Sequence, residues 1–247
     1  MGQTKLKRKQ FYDDGWIPAN ETWAYASADD PTYTFTIASF DATTKYNAGM
    51  KIKLTQSTGG TKFAIITKVV FDDPGSTITA YFGTDYNLED EAITAPYYSL
   101  VKAPFGFPLD PTKWTVEVAT TSDLEQTEPT ASVWYNVGSL SIDIPIGNWR
   151  VYYSILTDLQ WAGAVTNDIR ITLSTANNSE SDSKWTCWHY TLSVTRQITT
   201  STKENPIVIS TKDTYYLNGF TSTESCYTIN FRGDLSPSII RAVCAYL

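Results

Sequence analysis

The chain reads as an all-β protein, a small N-terminal β-barrel-like domain followed by a C-terminal β-sandwich. Three observations predict this. The composition is rich in Thr, Tyr, Trp, Ile and Val and holds only two Met, which suits pleated, half-buried surfaces better than helices. Apolar and polar residues alternate with period two in one segment after another, so each segment has a core face and a solvent face. Pro96, Pro104, Pro108 and Pro111 crowd the stretch 95–113, which separates two such β-rich halves. The expected organisation is a basic tail over 1–12, a barrel-like domain over 13–94, a proline- and aromatic-rich connector over 95–113 and a sandwich domain over 114–247.

Behind the tail, Trp16 and Trp23 bracket a loop-like run suited to sealing one end of a barrel. Tyr33, Phe35 and Ile37 alternate with threonines, and Met50, Ile52 and Leu54 alternate with Lys51, Lys53 and Thr55, so both segments read as half-buried strands. Ser57-Thr-Gly-Gly supplies the backbone freedom of a tight hairpin, and Phe63, Ile65, Thr67, Val69 and Phe71 follow in one phase. Asp72-Asp-Pro-Gly-Ser predicts a second hairpin, with Ile78, Ala80 and Phe82 on the return strand. Asn87 before Leu-Glu-Asp-Glu-Ala-Ile predicts one short helical turn, because an Asx cap and early acids favour a helix start. Tyr97, Tyr98, Phe105, Phe107 and Trp114 make the connector too apolar for a solvated linker, so it is expected to pack on its neighbours.

In the second half, Trp114, Val116 and Val118 resume the alternation, and 120–130 reads as a long acidic surface loop. Leu140, Ile142 and Ile144 alternate, Pro145-Ile-Gly-Asn turns the chain, and Trp149, Val151, Tyr153 and Ile155 hold one face of a core strand. Ile169, Ile171 and Leu173 precede the polar turn cluster at 176–183. The apolar phase then runs through Trp185 and Cys187 and jumps by one residue to Trp188, Tyr190, Leu192 and Val194, which predicts a bulge near Cys187 that returns them to the core. The final run from Ser238 to Leu247 is apolar almost throughout, so both of its faces are expected to be covered, within the sandwich or by partner subunits. Arg241, alone in that run, needs a carboxylate or a place at a subunit contact.

Charge and composition exclude whole classes of function. Lys5, Lys7, Arg8 and Lys9 lie in the tail, and without them the body carries 15 basic against 26 acidic residues, a net −11. Such a body repels nucleic acid and anionic membrane, while the tail offers a docking segment for an acidic neighbour. No apolar run is long enough to span a bilayer, and no signal peptide is expected. Cys187, Cys226 and Cys244 lack metal-ligand spacing and read as reduced, buried thiols, so no metal and no cofactor is expected.

His189 is the sole histidine, which argues against histidine metal sites and triads and favours a core or interface role. Carboxylates at Asp72, Asp73, Glu89, Asp90, Glu91, Glu125 and Glu128 fall in turns and loops, where acids are ordinarily solvated. The aromatic supply suits saccharide stacking as well as β cores and interfaces, and Trp161 within Leu-Gln-Trp-Ala-Gly-Ala is the candidate platform.

Gly15-Trp-Ile-Pro-Ala with Trp23, Tyr46-Asn-Ala-Gly-Met-Lys-Ile-Lys-Leu-Thr-Gln, Gly83-Thr-Asp-Tyr, Pro96-Tyr-Tyr-Ser and Ala103-Pro-Phe-Gly-Phe-Pro, in that order, resemble a module of tailed-bacteriophage virion proteins. Ile146-Gly-Asn-Trp-Arg-Val-Tyr-Tyr-Ser, Thr214-Tyr-Tyr-Leu-Asn and the ending Ile239-Ile-Arg-Ala-Val-Cys-Ala-Tyr-Leu resemble the jelly-roll-type ends of phage fibre and tail-tip proteins, which are often trimeric. The resemblance implies a non-enzymatic structural protein located in the virion, on its tail, fibre, baseplate or capsid surface. It also implies a homotrimer, and Ile239, Arg241, Val243 and Tyr246 are the candidate interface residues. The alternative is a receptor-binding module that recognises host cell-wall saccharide on exposed aromatics.

Overall fold

The structure is a computed structural model that describes residues 14–84 and 86–247, so the tail with Lys5, Lys7, Arg8 and Lys9 lies outside the described residues. Extended chain dominates, and helix among the described residues is confined to single 3-10 turns at Ala42–Thr44, Pro111–Trp114 and Ser183–Trp185. The protein is all-β, built from two antiparallel sheets. The chain divides into two compact units, one running to Trp114 and including Tyr246–Leu247, the other spanning Thr115–Ala245.

The first unit is a seven-stranded sheet of β1 (Ile17–Pro18), β2 (Ala24–Asp29), β3 (Thr32–Ile37), β4 (Lys51–Gln56), β5 (Gly60–Asp72), β6 (Gly75–Tyr81) and β7 (Thr94–Ser99). Its order is β1-β7-β4-β5-β6-β3-β2. β1 and β2 do not pair, so the sheet stays open and the expected barrel does not close. Its core holds Trp23, Tyr33, Phe35, Ile37, Tyr46, Ile52, Leu54, Ala64, Ile66, Ile78 and Phe82. The single phase expected for β5 is broken, because a register shift between Ile66 and Lys68 adds a residue to the strand. Ala64 and Ile66 therefore face this core, Phe63 packs on the opposite side, and Phe71 is left exposed.

The connector is less separate than its prolines imply. Its start is β7, which pairs with β4 and β1, and Pro96 is accommodated where the β4–β7 register shifts, beside Ala95 at φ +45°. The rest folds back over the outer side of the sheet. Phe107 stacks on Trp114 at 5.1 Å and meets Phe63 edge-on at 6.2 Å, and the Trp16 indole donates to Phe105 O at 2.8 Å. Lys51, on the nominally polar side of β4, is buried here, with its ammonium 5.6 Å from the Phe107 ring and donating to Tyr246 O at 2.7 Å.

The helical turn expected after Asn87 is absent. Tyr33 Oη accepts from Leu88 N and Gln56 accepts from Glu89 N and donates to Glu89 O, so the Leu88 and Glu89 backbone groups are held by side chains of neighbouring strands rather than by a helical turn.

The second unit is a sandwich made from β8 (Thr115–Thr120), β9 (Leu124–Thr127), β10 (Trp134–Ile144), β11 (Gly147–Ser174), β12 (Cys187–Ile209), β13 (Asp213–Thr221), β14 (Cys226–Phe231) and β15 (Ser238–Cys244). The stretch expected as one long acidic loop contains β9, held by β14. β11 and β12 pair along nearly their whole length, with register shifts between Gln160 and Asn167. There the long hairpin folds over, so that its two halves belong to opposite layers. The near half of β11 pairs with β15 and β14, the far half with β13. Across the layers Tyr153 Oη donates to Ile171 O at 3.0 Å or Trp185 O at 2.8 Å, and Val151, Ile155, Ile169 and Leu173 fill the space around it.

Two expectations for this half change. The phase jump at 185–188 marks the start of β12 after the 3-10 turn that holds the buried Trp185, and the bulges fall further along, where β11 and β12 bend. Trp188, Tyr190 and Leu192 accordingly point outward and are exposed. β15, expected to be covered on both faces, buries Ser238, Ile240, Ala242 and Cys244 and leaves Ile239, Arg241 and Val243 half-exposed.

Candidate functional site

β15 lies between β8 and the near half of β11, and β12 continues the layer beyond β11. The registers set Glu117, Arg241, Tyr152 and Glu204 side by side in one row across these strands, with Thr115, Val243, Arg150 and Pro206 in the next row and Ala119, Ile239, Ser154 and Thr202 in the row on the other side. In an antiparallel ladder directly opposed residues share a face, so these rows form one outer surface. Arg241 pairs with Glu117 and Arg150 with Glu204, the latter through Nε at 2.9 Å as well as Nη2. A shallow groove runs between Arg150, Tyr152, Glu204, Arg241 and Val243. The charges on this face thus neutralise one another locally, and apolar Ile239, Val243 and the Tyr152 ring lie between them.

Ile239, Arg241 and Val243 are therefore brought together. Tyr246 is not with them: it belongs to the first unit, where it closes over Gly49 and receives the Lys51 hydrogen bond. Trp161 is overturned as a stacking platform, because it sits in β11 rather than in an irregular segment and is only 3% exposed. A ring enclosed on both faces has none to offer a sugar.

Further along the same layer, Asp158 is buried between Arg196, at 2.5 Å, and Arg232, at 3.1 Å, and Arg232 continues to Asp234 and Asp123, each at 2.9 Å. Burial pushes the Asp158 carboxyl up, but the hydrogen bonds from both guanidinium groups outweigh it and hold the group below the usual carboxylate range.

His189 lies inside the fold of the β11–β12 hairpin, its Nε2 2.9 Å from Ser201 Oγ and its Nδ1 3.3 Å from Thr199 Oγ1. Burial holds its pKa below the ordinary histidine value. Cys187, on the same strand, donates to Thr202 O at 3.1 Å rather than approaching the imidazole. Burial raises the Cys226 thiol to about 11, so it remains protonated at neutral pH. Glu91 caps the β4–β5 turn, accepting from Thr58 N at 2.8 Å and Gly59 N at 3.3 Å. Among the described residues no three His, Cys, Asp or Glu side chains group closely enough to hold a metal ion.

No family model and no curated protein matches the chain. Among solved structures it is similar to the dimeric latent PorU of Porphyromonas gingivalis, at 8% identity and a TM-score of 0.32, over 92% of this chain and 24% of that one. It is also similar to the VP2 subviral particle of infectious bursal disease virus, at 12% identity and a TM-score of 0.33, over 90% of this chain and 62% of that one. The Gx strain of the same virus matches at 12% identity and a TM-score of 0.31, over 92% of this chain and 57% of that one. The chain spans less than two thirds of each of these three.

The aromatics that sequence reading missed are Trp188 and Tyr190. Their signal in the sequence is the phase jump after Cys187, which marks an apolar outer face rather than a bulge.

Proposed function

We propose that the chain is a non-enzymatic structural protein of a phage virion, carried on the tail, fibre or capsid surface, and that it assembles as a homotrimer through the outer face of β8, β15, β11 and β12. The observation that carries this reading is the composition of that face. Ile239, Val243 and Tyr152 offer apolar area, while Glu117–Arg241 and Arg150–Glu204 are already paired within the chain. A second copy meets no uncompensated charge on approach, and the half-exposed apolar residues gain from being covered. In a closed ring each copy uses this face against a different surface of the next one, and three-fold closure leaves no free face to propagate. The order of motifs resembling phage virion modules supports the setting.

The experiment is sedimentation of the purified chain beside the double variant Arg241→Glu, Val243→Asp. The expected result is a trimer for the parent and a folded monomer for the variant. A parent that stays monomeric at high concentration removes the assembly reading.

A further inference from the structure

The opposite layer presents a chemically different surface. Trp188 of β12, Arg170 of β11, Phe220 of β13 and Trp134 of β10 are directly opposed in one cross-strand row. Phe220 contacts Trp134 with ring centroids 5.1 Å apart, and the Arg170 guanidinium lies 4.8 Å from the Trp188 ring and 4.9 Å from the Phe220 ring. Asp168 Oδ2 accepts from Arg170 Nε at 3.1 Å and from Nη2 at 2.5 Å. Arg170 is therefore held between two rings and a carboxylate, and its guanidinium backs the Trp188 indole.

Beside this row stands Tyr190, directly across the ladder from Asp168. Trp188 is 65% exposed and Tyr190 64% exposed, so the two rings stand side by side along the strand on a solvent-facing surface. Beneath them the floor is polar. Asp168 is 9% exposed, and its second oxygen, Oδ1, is buried without a hydrogen-bond donor. A buried acceptor left unpaired is costly, and few native side chains are left so without cause.

We infer that Trp188, Tyr190, Arg170 and Asp168 form a binding site for a neutral saccharide. A pyranose has an apolar C–H face and a rim of hydroxyl groups. The apolar face stacks on the exposed indole and phenol rings, and a rim hydroxyl supplies the donor that Asp168 Oδ1 lacks once the side chains enclosing that atom turn aside to admit it. Two competing ligand classes fit less well. Arg170 is already neutralised by Asp168, so the site holds no surplus positive charge for an anionic ligand. The net charge of the chain, −7, opposes the phosphates of a nucleic acid whose bases could otherwise stack on the same rings. A second copy of the chain would cover the rings, but an apolar surface would bring no donor to Asp168. This site lies on the other layer from the proposed assembly face, and the inference stands independently of that assembly.

The test is binding of the purified full-length chain to a printed array of neutral bacterial and plant oligosaccharides. Trp188→Ala, Tyr190→Ala and Asp168→Asn are compared with Tyr227→Ala, an exposed tyrosine on β14, and the fold of each is checked by circular dichroism. The expected result is retention of the parent by at least one neutral glycan. Trp188→Ala should weaken it by on the order of tenfold or more, Tyr190→Ala and Asp168→Asn should also weaken it, and Tyr227→Ala should leave it unchanged. The inference is overturned if no neutral glycan retains the parent, or if folded Trp188→Ala is retained equally well. It is also overturned if Trp188→Ala changes only the oligomeric state, which would assign the rings to a second copy. Sedimentation of the same samples separates the two readings, since a monomer that still binds glycan removes the trimer alone.

Discussion

His189 is the one histidine of the chain, and its ordinary pKa lies close to neutral pH. Its two nitrogens are engaged by Ser201 and Thr199 inside the folded hairpin, and burial lowers its pKa from the ordinary 6.5. As pH falls through 6.5, the unfolded chain takes up a proton before the folded one does. The stability present above 6.5 is therefore lost between that value and the lower folded pKa. Urea unfolding midpoints at pH 7.5 and 5.5 should fall further for the parent than for His189→Gln, which keeps a polar group and removes the titration. Equal falls would show that His189 is not the group responsible. Asp158 gives a second residue-scale prediction. Asp158→Ala strands Arg196 and Arg232 beside each other, and the loss should be about 2–3 kcal/mol by urea unfolding, less than for a fully enclosed pair because Arg196 is half in water. A loss below about 0.5 kcal/mol would mean that solvent already screens the network.

At the scale of elements, the strap from Leu100 to Trp114 is held by specific close fits. Gly83, in the motif Gly83-Thr-Asp-Tyr, has φ +64°, and a Cβ there would lie 2.0 Å from Lys113 O, where Thr84 N donates at 3.0 Å. Gly83→Ala should destabilise the first unit by at least about 2 kcal/mol, since both the backbone region and the contact oppose a side chain. Phe107→Ala should cost about 3–5 kcal/mol through loss of the Trp114 stack and the Phe63 contact, with a red-shifted tryptophan emission as the optical sign. Small effects in both variants would show that the strap is only loosely applied.

The same elements show what the sequence made legible. Strands β3, β4 and β6 and the near half of β11 follow directly from period-two alternation, because each sets a fully buried apolar face against a more polar one. The connector, β5 and β12 were read less well, each for a physical reason. One added residue at Thr67 reverses the face of β5, and alternation alone does not reveal which strand absorbs a bulge. Pro96 was tolerated within a strand because the ladder is irregular there. The fold-over of β11 and β12, which decides that Trp161 is buried while Trp188 is exposed, depends on contacts far apart in sequence, such as Tyr153 with Ile171. Of the candidate interface, Ile239, Arg241 and Val243 shared a face for the same period-two reason, and Tyr246 departed because the chain leaves the sheet after Cys244.

For the whole molecule, the two outer layers of the sandwich carry opposite chemistry. One is a charge-paired, half-apolar sheet face suited to a second copy of the chain, and the other sets exposed rings over a polar floor. An assembly that uses the first leaves the second free to meet a ligand. The most direct measurement is native mass spectrometry of the purified chain across a concentration series, with Arg241→Glu, Val243→Asp run in parallel. The account predicts a complex of three chains for the parent that persists on dilution to micromolar concentration, and a single chain for the variant. A parent observed only as a single chain at every concentration, or a variant that trimerises as readily as the parent, would contradict it.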